Sequence, residues 1–371
     1  MIVQSRGKSD MNKKKVVLGM SGGVDSSVAA YLLQEQGYEV IGVTMNVWPD
    51  FVKPLEDNGR SCCSLSSVYD ARSVADLLGI PHYVLNFKEI FQEKVIDYFV
   101  KDYIAGRTPN PCIACNRYIK FEELLRRANE LDAFYVATGH YCKISLNEET
   151  KRYSLSKSED LSKDQTYVLY NMSQFQLEHT LMPLGDYIKE DIRKLAEKLH
   201  FKVAKKPDSQ EICFIPDNDY AGFIDRMASN TGKKGDFVDK NGIILGQHQG
   251  IIHYTIGQRK GLGVTFGKPM FVTKIDIKTN TITLGEAEDV FTSSMMVDDL
   301  NWIAFAELKE PLKAEVKIRY SAKPAPANII PLKDGTVKVE FETPQRAITP
   351  GQSAVFYQGD TVLGGGRIIE L

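Results

Sequence analysis

Apolar and polar positions divide the chain into two stretches with different periods. In the first, short continuous apolar runs alternate with amphipathic segments. KKVVLGM, residues 14–20, predicts a buried strand, Ser26 to Gln36 a helix ended by Gly37, and YEVIGVTM the next strand. A helix from about Ser64 stops at Gly79, and HYVLNF follows as a strand. Then come a helix through FQEKVIDYFVKDYI, a Pro-rich loop, a helix through KFEELLRRANEL and the strand AFYVAT. Continuous apolar strands spaced by helices predict an α/β fold with a parallel sheet covered on both faces. Such sheets bind ligands beyond the carboxyl ends of their strands. The Gly-rich loop after the first strand, NVWPD and TGHYCK all fall at that edge.

The pattern changes near Asp208. From there to about Pro269 the chain is rich in glycine and turns, as in TGKKGDF, DKNGIILGQHQG and IGQRKGLGV. FVTKIDIKTNTITLG reads as a hairpin. LKAEVKIRY alternates, with Leu312, Ala314, Val316, Ile318 and Tyr320 on one face and Lys313, Glu315, Lys317 and Arg319 on the other, the period of a half-buried strand. The last hundred or so residues predict a small antiparallel barrel or sandwich. A chain of 371 residues is too long for one ordinary core. The expected division is a disordered tail over 1–12, an α/β domain over 13–210, a Gly-rich middle domain over 211–280 and a C-terminal β-barrel over 281–371.

Composition narrows the class. Hydrophobic residues make up 43% and charged residues 25%, as in ordinary globular proteins. No apolar run approaches the roughly 20 residues that span a bilayer. The start, MIVQSRGKSDMNKKK, lacks the apolar stretch of a signal peptide, and Met11 is an alternative start. Six cysteines are too sparse for a disulfide scaffold, so a cytoplasmic, reducing compartment is expected, where clustered cysteines suggest metal binding or catalysis. A net charge of −2 argues against nonspecific coating of nucleic acid but leaves room for a local basic groove.

The candidate chemistry begins in VVLGMSGGVDSSVAAYLL, residues 16–33. A nucleotide-hydrolase loop needs GxxxxGK followed by Ser or Thr, and this loop has no lysine. It offers glycines, backbone N–H groups, serine hydroxyls and a helix N-terminus to an anion. The plain alternative is a strand-to-helix turn capped by Ser21 or Asp25. SGGVDSS resembles the pyrophosphatase loop of ATP-dependent adenylating enzymes. That resemblance implies binding of the β- and γ-phosphates as a leaving group, with Asp25 a partner of Mg²⁺ or a cap on the helix.

Cys112 and Cys115 lie in GRTPNPCIACNRYIKF, where a loop enters a helix, and a helix N-terminus favours thiolate. Cys213 lies in PDSQEICFIPD, where the α/β pattern ends. The CxxC is also half of a zinc site, but its other half would be the adjacent Cys62 and Cys63, poorly spaced for a tetrahedron. Those two and Cys142 read as packing thiols. Adenylation with two separated reactive cysteines suggests sulfur transfer. The blocks GMSGGVDSSVAAYLL, GRTPNPC…CN…IKF, ATGHYCK, SKDQTYVLY, DSQEICFI and HYTIGQRKGLG, in this order from about Lys15 onward, resemble the tRNA-specific 2-thiouridylase (MnmA) family.

The resemblance implies 2-thiolation of the wobble uridine in tRNAs of the Lys, Glu and Gln type. It implies ATP at Gly19, Met20, Ser21, Gly22, Gly23, Val24, Asp25 and Ser26, with Met45 and Gly139. Cys115 matches the nucleophile and Cys213 the persulfide carrier, paired in a transient disulfide. Asn110, Pro111 and Cys112 match the segment lining the target base. His140, Lys163, Asp164, Gln165, Arg319, Tyr320 and Gln352 match tRNA contacts. Many members carry Asp where this chain has Cys112. Its thiol then stands in as a weak acid or base, or joins Cys115 and Cys213 as ligand of an iron–sulfur cluster. A cysteine desulfurase or sulfur-relay protein is the expected sulfur donor, no membrane is involved, and a monomer is expected. The rivals are an amide-forming adenylating enzyme, which has no use for two reactive cysteines, and a noncatalytic RNA-binding protein, which has no use for SGGVDSS.

Overall fold

The computed structural model describes residues 12–49, 65–208, 212–228, 232–265 and 267–370. Residues 1–11 of the expected tail and the Cys62–Cys63 pair lie outside them. The chain packs as two compact units, Met1–Lys94 with Ala114–Pro216, and Val95–Ile113 with Asp217–Leu371.

The first unit is built on β1 (Asn12–Gly19), β2 (Glu39–Asn46), β3 (His82–Asn86), β4 (Ala133–Ala137), the antiparallel hairpin β5 (Cys142–Asn147) and β6 (Arg152–Lys157), and the short β7 (Thr180–Leu181). Five of these form a parallel sheet in the order β3-β2-β1-β4-β7. Val16, Val17 and Leu18 at the centre of β1 are fully buried, which is why the strand reads as an unbroken apolar run. Each such side chain contributes about 1.5–3 kcal/mol on burial.

The helices in chain order are α1 (Val24–Glu35), α2 (Leu65–Leu78), α3 (Lys88–Phe91), α4 (Asp97–Ile104), α5 (Pro111–Ala114), α6 (Leu124–Glu130), α7 (Gln174–Glu178), α8 (Lys189–Lys198) and α9 (Tyr220–Met227). Val28, Ala29 and Leu33 of α1, Ala71, Val74 and Ala75 of α2, and Ile192 and Ala196 of α8 share one core with Val16 and Leu18. Two expected helices are longer and less regular than the sequence pattern suggests. π-helical turns over Gln92–Ile96 join α3 to α4, and a π-helical stretch over Cys115–Glu123 joins α5 to α6. The second helix therefore starts at Pro111, inside the expected loop, because proline at a first helical position lacks only an N–H that has no partner there anyway.

In the second unit, β8 (Gly235–Val238), β9 (Ile244–His248), β10 (Phe271–Asp276) and β11 (Thr281–Gly285) form a sheet in the order β10-β11-β8-β9. The expected hairpin is β10–β11. β12 (Phe291–Trp302), β13 (Leu312–Lys317), β14 (Ala325–Pro331), β15 (Val337–Arg346), β16 (Ser353–Gln358) and β17 (Thr361–Glu370) pair antiparallel, and β12 pairs with β17 to close a six-stranded barrel. The alternating strand stops at Lys317, earlier than its pattern predicts. Ile318 stays buried, but Tyr320 lies in a turn with 46% of its surface exposed.

Candidate functional site

β1 ends at Gly19 and α1 starts at Val24, so four residues make the whole connection at the carboxyl edge of the parallel sheet. Gly22 has φ +67°, and a Cβ there would lie 2.2 Å from the Ser67 carbonyl oxygen. Only glycine fits both the conformation and the space. A Cβ on Gly139, just after β4, would lie 2.8 Å from the Ser26 nitrogen, so the end of β4 presses directly on the first turn of α1. Ser26 Oγ accepts from the Ser21 N–H at 3.2 Å and donates to the Gly23 carbonyl at 3.2 Å, and Ser27 Oγ donates to that carbonyl at 2.9 Å. Gly23 is the N-cap of α1 and no side chain caps the helix, an arrangement that suits an anion. Met20 and Val24 are buried, so they offer the loop no side chain. Met45, half-buried at the end of β2, packs over Gly19.

Asp25 neither caps the helix nor presents a free carboxylate for Mg²⁺. Its Oδ1 accepts from Tyr141 Oη at 2.7 Å and from Lys189 Nζ at 2.8 Å, and its Oδ2 accepts from Lys189 Nζ at 2.7 Å. Lys189 Nζ also lies 2.8 Å from Asp208 Oδ1. Asp208 is held in turn by Lys163 Nζ at 2.8 Å and by the Arg193 guanidinium at 3.0 Å. Burial pushes the Asp208 pKa up, but hydrogen bonds from Lys163 and Lys189 outweigh it and hold the group down at about 2. Lys206 Nζ reaches the loop from the other side, donating to the Gly22 carbonyl at 3.1 Å, Ser67 Oγ at 3.4 Å and Asp70 Oδ2 at 2.8 Å. The sequence reading missed Tyr141, Lys189, Arg193 and Lys206. Asp208 does open the DSQEICFI block and Lys206 lies two residues before it, which was the available signal.

The cysteines occupy different local structures. Asn110 Oδ1 accepts from the Cys112 N–H at 3.1 Å and the Asn110 carbonyl accepts from Ile113, so Asn110 starts the helix, with Pro111 buried and Cys112 exposed. Cys115 lies a turn further in, at the change from α to π geometry, and is half-buried. The helix N-terminus therefore serves Cys112 more directly than Cys115. Cys213 is half-buried in a turn closed by Ile215 N–H on the Ile212 carbonyl, and Phe214 anchors that turn edge-on to Phe91 at 5.7 Å. Cys142 is a buried free thiol. Burial pushes the Cys142 thiol well up, as expected of a packing residue. Among the described residues, no group of three or more His, Cys, Asp or Glu is placed to hold a metal ion.

The residues expected to touch tRNA are for the most part engaged within their own unit. His140 is buried. Lys120 Nζ donates to its Nε2 at 3.5 Å, so Nδ1 carries the proton and donates to Thr138 Oγ1 at 2.7 Å. Burial and the Lys120 charge push the His140 pKa well down. Lys163 pairs with Asp208, Asp164 accepts from Thr166 Oγ1 at 2.7 Å, and Gln165 Oε1 accepts from the Tyr141 N–H at 2.9 Å. In the second unit Arg319 donates to the Arg346 carbonyl at 2.6 Å, Tyr320 is exposed, and Gln352 Nε2 donates to the Thr108 carbonyl at 2.7 Å.

Residues 14–217 match the family described as tRNA methyl transferase HUP domain, residues 222–286 the tRNA methyl transferase PRC-barrel domain, and residues 292–368 the aminomethyltransferase β-barrel domain. Over its full length the chain is similar to the tRNA-specific 2-thiouridylase MnmA of Acetivibrio thermocellus, 58% identical over 96% of this chain and all of the relative. It is 59% identical to that of Clostridium acetobutylicum, over 96% of this chain and 99% of the relative. Among solved structures, the NMN synthetase of Francisella tularensis aligns with 58% of this chain and 77% of its own at 15% identity and a TM-score of 0.34, too low to add to the assignment. No helix among the described residues is long and apolar enough to cross a membrane. On full-length identity near 58% the chain belongs to the tRNA-specific 2-thiouridylase (MnmA) family and is a tRNA-modifying sulfurtransferase.

Proposed function

We propose that the chain thiolates position 2 of the wobble uridine, in tRNAs of the Lys, Glu and Gln type, by adenylating the uridine 2-oxygen and then delivering sulfur from a persulfide on Cys213. The observation that carries the first stage is the loop from Gly19 to Ser26. Its helix N-terminus has no side-chain cap, and its backbone is fixed by Gly22 and Gly139, at neither of which a Cβ fits. That cradle suits the phosphates of ATP, with Met45 beside the adenine. ATP supplies AMP as the leaving group that the uridine oxygen otherwise lacks. Mg²⁺ has no such support at Asp25, whose two oxygens already hold Lys189 and Tyr141.

The base must leave its stack to reach the site, at a cost of a few kcal/mol that is smallest in a single-stranded loop. Asn110, Pro111 and Cys112 line it, with the exposed Cys112 thiol handling the proton. The terminal sulfur of the Cys213 persulfide attacks C2 and AMP leaves, so Cys213 is joined to the base through two sulfurs. The Cys115 thiolate then attacks Cys213 Sγ, which closes the Cys115–Cys213 disulfide and releases the thiouridine. The two electrons that make thiocarbonyl sulfur come from the two cysteines, and a cellular thiol reductant restores them. A cysteine desulfurase or sulfur-relay protein loads Cys213. His140, the Lys163–Asp164–Gln165 segment, Arg319, Tyr320 and Gln352 border the tRNA path, His140 and Gln352 chiefly by fixing their neighbours. The proposed working unit is a monomer.

The test is exchange of labelled pyrophosphate into ATP, with and without tRNA. Exchange that requires tRNA supports adenylation of the base. Thiolation without any such exchange would refute it.

A further inference from the structure

The Gly-rich loop has no lysine of its own, yet lysines from far along the chain close on it. Lys189 is the better fixed. Its side chain is about 10% exposed. Its ammonium group is spent on Asp25 Oδ1 at 2.8 Å, Asp25 Oδ2 at 2.7 Å and Asp208 Oδ1 at 2.8 Å. Its backbone N–H is held by Asp160 Oδ2 at 3.0 Å. Lys189 is also the first residue of α8, where the helix dipole disfavours a cation, so helix stability does not explain it. The two carboxylates do.

We propose that Lys189 is the fixed cation of the nucleotide loop, a positioning residue, and that Asp25 acts by holding it rather than by binding a divalent metal ion. Around Asp25, Asp208 and Asp160 the first unit sets Lys189, Lys163 and Arg193, so each carboxylate of the cluster has a cation or a backbone donor against it. Tyr141 Oη completes the shell of Asp25. Lys189 thereby fixes a positive charge beside the helix N-terminus although the loop contains an aspartate, which is what a polyphosphate requires. Remove Lys189 and two carboxylates face the incoming phosphates without their shared counter-charge. The lysine that a nucleotide-hydrolase loop carries in its own motif is here supplied from α8, and the loop's aspartate is its anchor. The inference rests on the reading of this loop as the ATP site.

The experiment is equilibrium binding of ATP to the full chain by titration calorimetry over a series of Mg²⁺ concentrations. The proteins are wild type, Asp25→Asn, Lys189→Met, Lys189→Arg and the Asp25→Asn/Lys189→Met double variant, each checked by thermal melting. Lys189→Met is expected to weaken ATP by about tenfold or more, the weight of one charge-assisted interaction, and Lys189→Arg by much less. Asp25→Asn is expected to weaken ATP in the wild-type background, add nothing in the Lys189→Met background, and leave the Mg²⁺ concentration for half-maximal binding unchanged. A raised Mg²⁺ requirement in Asp25→Asn, or a full additive loss in the double variant, overturns the proposal in favour of a metal-binding Asp25. If Lys189→Met does not fold, Asp25→Asn and Lys189→Arg decide through the Mg²⁺ requirement alone. Wild type that binds no ATP would sink the ATP-site reading along with the inference. Wild type that binds ATP no better than folded Lys189→Met would sink the inference only.

Discussion

Gln352 Nε2 donates to the Thr108 carbonyl at 2.7 Å, and the Thr108 N–H donates to the Pro350 carbonyl at 2.9 Å. The turn before β16 thus holds the stretch that leads into Asn110, Pro111 and Cys112, with Thr108 Oγ1 also 3.1 Å from Thr255 Oγ1. Gln352 reads from this as a clip on the segment proposed to line the target base. Gln352→Ala is expected to cost about 1 kcal/mol of stability, the net worth of one hydrogen bond. The single-turnover thiolation rate should fall more than tRNA affinity does. Weakened tRNA binding at unchanged melting temperature and unchanged rate on bound tRNA would make Gln352 a direct tRNA ligand instead.

Gly22→Ala is expected to distort the nucleotide loop, because its Cβ would lie 2.2 Å from a backbone oxygen in a conformation that suits glycine. A cost of about 1–3 kcal/mol and loss of ATP binding follow. Gly139→Ala meets the Ser26 nitrogen at 2.8 Å and should weaken ATP in the same direction. Calorimetric ATP binding together with thermal melts checks both. Wild-type affinity in either variant would remove that glycine from the cradle.

His140 is expected to stay neutral throughout the physiological range. Burial and Lys120 push its pKa down in the folded chain, so protonation favours the unfolded state and stability falls as pH drops below the usual 6.5. An NMR titration of the imidazole resonances should show no His140 transition between about pH 6 and 8. A transition in that range would mean that the Lys120–His140–Thr138 chain is not maintained in solution.

Four strands of the parallel sheet were legible because they are apolar runs, whereas the two-residue β7 is too short to read, and the Gly-rich loop was legible because its motif is contiguous, from Gly19 to Ser26. The network behind the loop was not. Lys189 and Arg193 look like the polar face of any amphipathic helix, and nothing local ties them to Asp25 or Asp208. The π-helical stretch after Cys115 escaped for a related reason, since over nine residues its apolar spacing does not differ enough from an α-helix to be read. Ile318 to Tyr320 continue the alternation of β13, but the strand ends at Lys317, and period alone does not mark where pairing stops. His140 sat in a block quoted for tRNA contact, and its burial between Thr138 and Lys120 comes from residues on two elements.

Asp208 links stability to acid. Its folded pKa is about 2 against an ordinary 3.8, so its pairing with Lys163 and Lys189 is complete above 3.8 and is lost as pH falls toward 2. The wild-type melting temperature should fall through that window, and Asp208→Asn should flatten this part of the profile while lowering stability at neutral pH. An identical acid profile in the two proteins would mean that Asp208 is not paired in solution.

The sulfur route is tested most directly at Cys213. Wild type and Cys213→Ser are incubated with a cysteine desulfurase, cysteine, ATP and unmodified tRNA, and the tRNA is digested and its nucleosides weighed by mass spectrometry. Wild type should yield 2-thiouridine at the wobble position. Cys213→Ser should yield none while retaining tRNA-dependent pyrophosphate exchange. Normal 2-thiouridine from Cys213→Ser would contradict the persulfide route.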